Sequence, residues 1–548
     1  MKKFKYIISS IIVAASLTSC DKYLDVNENP NSIRAENITP ELLFPGAVAQ
    51  SYRVQAGDMM QFGNLMMNSW AGDVYHYGGL YPNEFSLSAI NSQFYDGIWD
   101  NIYQNVNNFV AIENYPNADH RQDSYIAMAK VMKAFYMQYI VDLYGDAPYT
   151  EAFKGQNNLA PKYDNDIDIY KSLITNLDEA AAIITANINT PNPDVLAPGA
   201  KDIVFAGDMT KWRSFAYTLK LRYLLRMSNV TGDLATYRNA QLAALSTATN
   251  SGAGLISTDV LENPGYGSST NDKLNPVFLN YYYDSALNER QNHIVITASE
   301  HIAIALNGNI GANTTPEYQK FNGVIDPRRF RLFTSVTYNG IPQVKGVRQG
   351  ATSGQPGAPT DNQNVSKLAL GNIVGSTPVS SNAQLLAAGS SRSGVIMSLA
   401  EARLLLAEAT LKYPSLFTGG QSAFNSAIVS SALWTGTNTT NAAWTNYMAN
   451  ISTRPGLGWT GTDAQKLEAI MTQKWIALTN VNPTEMYVEY NRTNLPYNPV
   501  AVNAVKTRRP YRLVYPNSEY ATNSANVPNI GSDVVFTKNQ YTPFWNQN

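Results

Sequence analysis

The clearest pattern in the chain lies at 123–144, where Met128, Met132, Phe135 and Tyr139 recur at i, i+4, i+7 and i+11 and so fall on one face of a helix. Gly145 and Pro148 supply its stop. A second helix is predicted after Asp164-Asn165-Asp166-Ile167-Asp168, whose carboxylates favour a helix N-terminus, running through Tyr170, Leu173, Leu177 and Ala181. A third spans about 209–228, with Trp212, Phe215, Leu219, Tyr223 and Met227 along one face. Helical patterning returns at 397–412, about 421–433 and 463–479. Helical hairpins are therefore the expected unit, and the fold class is mostly α.

Residues 246–395 read differently. They are rich in Gly, Ser, Asn, Thr and Pro, with one helical interlude at about 295–306, and stretches such as 348–364 cannot bury enough apolar surface to order themselves alone. After 480 the chain turns irregular and rich in proline. Because helices flank the loop-rich insertion, one body over 41–548 is expected, helical at 41–245 and 396–480 and loop-rich at 246–395 and 481–548.

The N-terminus carries an address. Lys2, Lys3 and Lys5 precede an apolar run from Ile7 to Leu17 that ends at Leu17-Thr18-Ser19-Cys20, the basic, apolar and small-residue order of an export signal over 1–19. The run is too short for the roughly 20 residues a bilayer core requires. Cys20 is the only cysteine of the chain, and the pattern Leu-x-Ser-Cys looks like a bacterial lipobox in which the thiol is acylated. Several acyl chains anchor durably where one does so only marginally. Residues 20–40 read as a tether, about 70 Å long if extended but averaging about 25 Å as a coil.

Composition narrows the function. Lipidation of Cys20 leaves no cysteine to pair, so the body must rest on its core. The formal charge of −2 becomes −5 once the three leader lysines are removed, which argues against a nucleic-acid partner. Only 15% of residues are charged while Tyr contributes 34, a surface chemistry suited to neutral polar ligands such as sugars or peptides.

Catalytic signatures are weak. The four histidines, His76, His120, His293 and His301, form no HExxH, and there is no G-x-S-x-G elbow or Walker loop. Asp164-x-Asp166-x-Asp168 begins like a calcium loop but has Ile169 and Thr175 where Gly and Glu are needed. No metal, cofactor or enzymatic activity is expected. The segment that stands out is 70–99, whose first half places aromatics among Gly, Pro and Asn. Aromatic rings on loops, beside amides and carboxylates, grip sugars. Trp70, Asp73, Tyr75, Tyr77, Tyr81 and Asn83 are therefore candidate ligand contacts, joined by Tyr282 from the Tyr281-Tyr282-Tyr283-Asp284 cluster. Phe94, Tyr95 and Trp99 resume a helical spacing and are expected in the core.

Several segments, taken in order, resemble the SusD/RagB family of nutrient-binding outer-membrane lipoproteins of Bacteroidota-type bacteria. They are Tyr23-Leu24-Asp25 after Cys20; Leu143-Tyr144-Gly145-Asp146-Ala147-Pro148-Tyr149; and Gly207-Asp208-Met209-Thr210-Lys211-Trp212 followed by Leu219-Lys220-Leu221-Arg222. Then come Asp326-Pro327-Arg328, Ala400-Glu401-Ala402, Ala407-Glu408-Ala409, Gln473-Lys474-Trp475-Ile476-Ala477, and Pro510-Tyr511-Arg512 with Tyr515-Pro516. Tyr338-Asn339-Gly340 after Asp-Pro-Arg looks closest to the SusD-like branch. The resemblance implies a tetratricopeptide-like helical body with a loop-rich ligand face. It also implies an outer-membrane, surface-exposed lipoprotein that closes over a TonB-dependent, SusC-like barrel transporter and hands it oligosaccharides, or in some members peptides. A surface glycoside hydrolase and a purely structural role in stabilising the barrel are the alternatives.

Overall fold

A computed structural model describes residues 38–547, except 75, 76, 78, 356 and 358–364. The leader, the lipidation residue Cys20 and the tether up to residue 37 lie outside the described residues. Among those described, no helix is long and apolar enough to cross a membrane.

The body is mostly α-helical, and no sheet among the described residues has more than two strands. Helices Asp96–Glu113, Asp123–Tyr144, Asp166–Asn189 and Met209–Arg226 pack each on the next in tetratricopeptide-like succession, and Leu399–Lys412 packs on Gly420–Thr435. The main hydrophobic core draws on residues from Phe44 to Trp545, and a small separate cluster joins Ala71, Val347 and Val365. The centre of the main core is helix Asp123–Tyr144, in which Met128, Met132, Phe135 and Tyr139 are all inaccessible to solvent. Gly145 ends that helix with φ +76°, a conformation that glycine adopts without steric cost.

Caps explain several of the sequence motifs. Asp208 accepts from the backbone N–H groups of Thr210 and Lys211, which sets the start of helix Met209–Arg226 and buries Trp212 against Phe44 and Phe205. Ahead of helix Asp166–Asn189 the cap is Asn165, accepting from Ile167 N–H. Asp164 instead accepts from the N–H groups of Tyr149 and Thr150. The Asp-Pro-Arg turn is a clasp: buried Arg328 donates to Asp326 at 2.6 Å, to Tyr447 at 3.0 Å and to Gln473 at 2.9 Å. It fastens the loop-rich middle to the C-terminal helices.

Three expectations are corrected. The interlude read as a helix over about 295–306 is strand Ile296–Ala298 followed by helix Glu300–Asn307, so His293 and His301 share no helix. The stretch after 480 contains helix Pro483–Thr493, every residue of which is buried but the last. The middle segment is less irregular than its composition suggests. Among the described residues it carries short helices, four strands and the start of a fifth, including the Val336–Tyr338 and Ile341–Gln343 hairpin, whose turn residues Asn339 and Gly340 both have positive φ.

Candidate functional site

Strand Trp70–Gly72 pairs antiparallel with Ile296–Ala298, and Ser299 bridges onward to Val347. This small platform gathers four distant segments at one surface: residues 72–74, 77 and 79–86, helix Glu300–Asn307 with the loop after it, the stretch from Tyr338 to Ser353, and residues 497–503. Gly346 is needed here, because a Cβ would stand 2.2 Å from the carbonyl oxygen of Ser299.

The surface is indented by three adjoining concavities of about 660, 280 and 200 Å³. Arg348 lines all three. Its guanidinium grips Glu300 in a bidentate pair, Nε to Oε2 at 2.5 Å and Nη2 to Oε1 at 3.0 Å, and 42% of the Arg348 side chain stays exposed. These hydrogen bonds raise the guanidinium's pKa and hold it charged.

Aromatic rings and amides surround that pair. Tyr338 is 41% exposed, and the Lys345 ammonium lies 3.8 Å from its ring centroid. Tyr77 lines the 280 Å³ concavity and Tyr318 and Tyr497 the smallest one. Asn307, Asn309, Asn313 and Gln343 line the largest. Beneath, the His301 ring meets Tyr318 OH at 2.8 Å and packs on Trp475. Burial, with Arg509 and Lys320 nearby, pushes the His301 pKa down to about 3, so the imidazole is neutral at any physiological pH. The groove thus combines rings, amides and one satisfied ion pair.

The structure brings few of the sequence candidates to this groove. Trp70 is a correction: it is 1% exposed, donates from Nε1 to Asn480 Oδ1 at 2.6 Å and meets Tyr281 edge to face, so no face of its ring is left for a ligand. Asp73 is likewise buried, paired with Lys367 at 2.7 Å. Tyr282 is buried and donates to the Ala369 carbonyl. Tyr81 is half-buried against Phe85, with its hydroxyl enclosed. Asn83 is exposed on the short helix Pro82–Ser86 that borders the groove. Tyr75 lies outside the described residues. Phe94 and Trp99 are in the core, with Tyr95 half-buried beside them. Sequence reasoning missed Arg348, Glu300, Tyr318 and Tyr497, and singled out Tyr338 only through the Tyr-Asn-Gly turn. Among the described residues, no group of three or more metal-ligating side chains comes together.

The family described as "SusD-like_2: Starch-binding associating with outer membrane" matches residues 32–516 of the chain. A search of curated proteins by sequence gave no significant match. Among solved structures, a chitin-binding SusD homologue from Flavobacterium johnsoniae superposes with TM-score 0.64 at 20% identity, over 88% of this chain and 94% of that one. A chitin-binding protein superposes with TM-score 0.62 at 22% identity, over 90% and 95%. A SusD-like protein from Bacteroides thetaiotaomicron VPI-5482 gives TM-score 0.61 at 21% identity, over 88% and 94%. At these identities the likeness is one of fold.

Proposed function

Since the chain belongs to the SusD-like family associated with the outer membrane, we propose that it is a cell-surface lipoprotein, anchored through Cys20, that captures oligosaccharides in the groove around Arg348 and delivers them to a TonB-dependent, SusC-like transporter. The observation that carries this reading is the meeting of three concavities at Arg348, with tyrosine rings and amides along their walls. Sugar rings offer apolar C–H faces to stack on aromatics and hydroxyls to bond amides. The family's starch-binding description and the chitin-binding neighbours make a neutral glycan the first ligand class to try.

The mechanism is recognition without bond breaking. Tyr338 and Tyr77 stack on the ligand, the Asn side chains exchange hydrogen bonds with its hydroxyls, and the fixed Arg348–Glu300 pair presents donor and acceptor edges side by side. Release to a transporter sets a ceiling on affinity, so binding in the micromolar to millimolar range is expected, about −8 to −4 kcal/mol. A peptide ligand is the second reading, favoured by the charged groups Glu300, Arg348 and Lys345 in the 660 Å³ concavity. A glycan and peptide array probed with the soluble chain separates the two. An oligosaccharide returned as shorter products would instead establish a hydrolase.

A further inference from the structure

A second concavity, of about 710 Å³, opens elsewhere on the molecule, between strand Gly394–Met397 with its preceding turn, helix Asn382–Ser390 and the end of helix Gly420–Thr435. It falls within the roughly 300–1,000 Å³ usual for small-molecule sites. Its apolar walls are Val374, Leu261, Ala388 and the half-buried Trp434 ring, and its rim carries Thr377, Gln384 and Ser391. No Asp or Glu lines it.

Arg392 is the charge in this concavity. Its guanidinium carbon stands 3.9 Å from the centroid of the Trp434 ring, and Nη2 donates to the Trp434 carbonyl at 2.8 Å. Nε is buried without a partner and Nη1 makes no hydrogen bond to protein. Among the described residues no carboxylate forms an ion pair with it, whereas buried Arg222, Arg226, Arg328 and Arg492 are so paired and buried Arg238, Arg509 and Arg512 donate to carbonyl or amide oxygens. Arg331, also without a carboxylate partner, donates to the Gly375 carbonyl close by. The nearest acidic influence is Asp259, which accepts from the Leu399 N–H.

The polar groups behind Arg392 are also unsatisfied. A small adjoining cavity of about 20 Å³ is lined by Arg392, Ser393, Trp434 and Asn372, enough for one ordered water. Both amide atoms of buried Asn372, the Trp434 indole N–H and Arg392 Nε have no protein partner. These four atoms suit a site completed by a water and a ligand.

We propose that this concavity is a second ligand site, separate from the groove around Arg348, and that it takes an anionic sugar residue, a hexuronate. The pyranose ring lies along Trp434 and the apolar wall, and its carboxylate accepts from Arg392, whose planar fork is shaped for a carboxylate. Gln384 and Ser391 at the rim bond the ring hydroxyls. A protein with both sites holds acidic branches of a glycan while the main groove holds its neutral units.

Calorimetric titration of the full-length protein with trigalacturonate, and with maltotriose as the neutral control, tests this. Trigalacturonate is expected to bind, more weakly as salt is raised, and to lose about tenfold or more in affinity in Arg392→Gln but not in Arg348→Gln. Ala387→Trp, which fills the groove from its exposed rim and leaves Arg392 in place, should produce the same loss, so a folding defect in one variant does not decide the matter. Absence of trigalacturonate binding, equal binding of maltotriose at this site, unchanged affinity in folded Arg392→Gln and Ala387→Trp, or loss in Arg348→Gln instead would each overturn the proposal.

Discussion

The guanidinium of Arg226 donates to the carboxylate of Glu485 at 2.7 Å across 259 residues of chain, with both side chains wholly buried. Arg226 also pairs with Glu489 at 2.5 Å and Asp142 at 3.3 Å. Around them Arg222 holds Glu401 at 3.1 Å, Arg492 holds Glu408 at 2.7 Å, and Lys474 lies 3.5 Å from both Glu485 and Glu489. The network joins the ends of the chain's helical body: helices Asp123–Tyr144 and Met209–Arg226 from the first half, and Leu399–Lys412, Asp463–Leu478 and Pro483–Thr493 from the second.

Arg226→Met breaks this network from the inside. It takes from buried Glu485 and Glu489 one of the three cationic partners that each has, so a loss of about 3–5 kcal/mol is expected, read as a lower denaturant midpoint. A loss below 1 kcal/mol would mean that the helices hold together by apolar packing alone.

Trp70→Ala is expected to cost about 3–5 kcal/mol as a core truncation, with Asn480 left short of its indole donor. This reverses what the loop composition around Trp70 suggests, namely a ring whose removal weakens ligand capture and leaves melting nearly unchanged. Thermal melting of the variant distinguishes the two.

Asp166 gives a pH signature. Burial first, and Asp146 beside it, push its carboxyl up to about 7, above the roughly 4 of an unfolded Asp. The folded state therefore holds this proton more tightly, and the stability it contributes is present below about pH 4 and lost as pH rises to about 7. Asp166→Asn cannot lose it. The variant's stability relative to wild type is expected to rise between about pH 5 and 8, measured by urea unfolding at both; a difference independent of pH would contradict the assignment.

The lipid anchor has its own test. Cys20→Ala is expected to move the protein from the membrane fraction to the soluble fraction, since no helix among the described residues can span a bilayer. Continued retention in cells lacking a transporter partner would count against the lipobox.

What was legible in the sequence, and what was not, follows from how each segment is buried. Helix Asp123–Tyr144 could be read because it buries apolar residues at helical spacing. Helix Pro483–Thr493 could not, because it buries Glu485, Glu489 and Arg492 as ion pairs, and a buried ion-paired face looks like a solvated one. Trp70 and Tyr282 sit among loop-forming residues yet belong to the core, since a two-stranded platform and a buried turn enclose them. The groove left little local trace: Arg348, Glu300 and Tyr497 come from segments that only the tertiary fold brings together. Tyr77 was legible as a ring on a Gly- and Pro-rich stretch, and Tyr338 only through the family resemblance of Tyr338-Asn339-Gly340. The mostly helical body was recoverable because its motifs are caps and clasps, as Asp208 and Arg328 show.

The most direct test of the central claim is calorimetry of the soluble chain beginning after Cys20 against the glycans returned by an array, in wild type, Arg348→Ala and Tyr338→Ala. The account predicts that one oligosaccharide class binds wild type intact and that each substitution weakens it by about tenfold, roughly 1.4 kcal/mol, with little change in melting because both side chains stand partly exposed at the surface. Undiminished binding in both variants, or binding of peptides and no glycan, would contradict it.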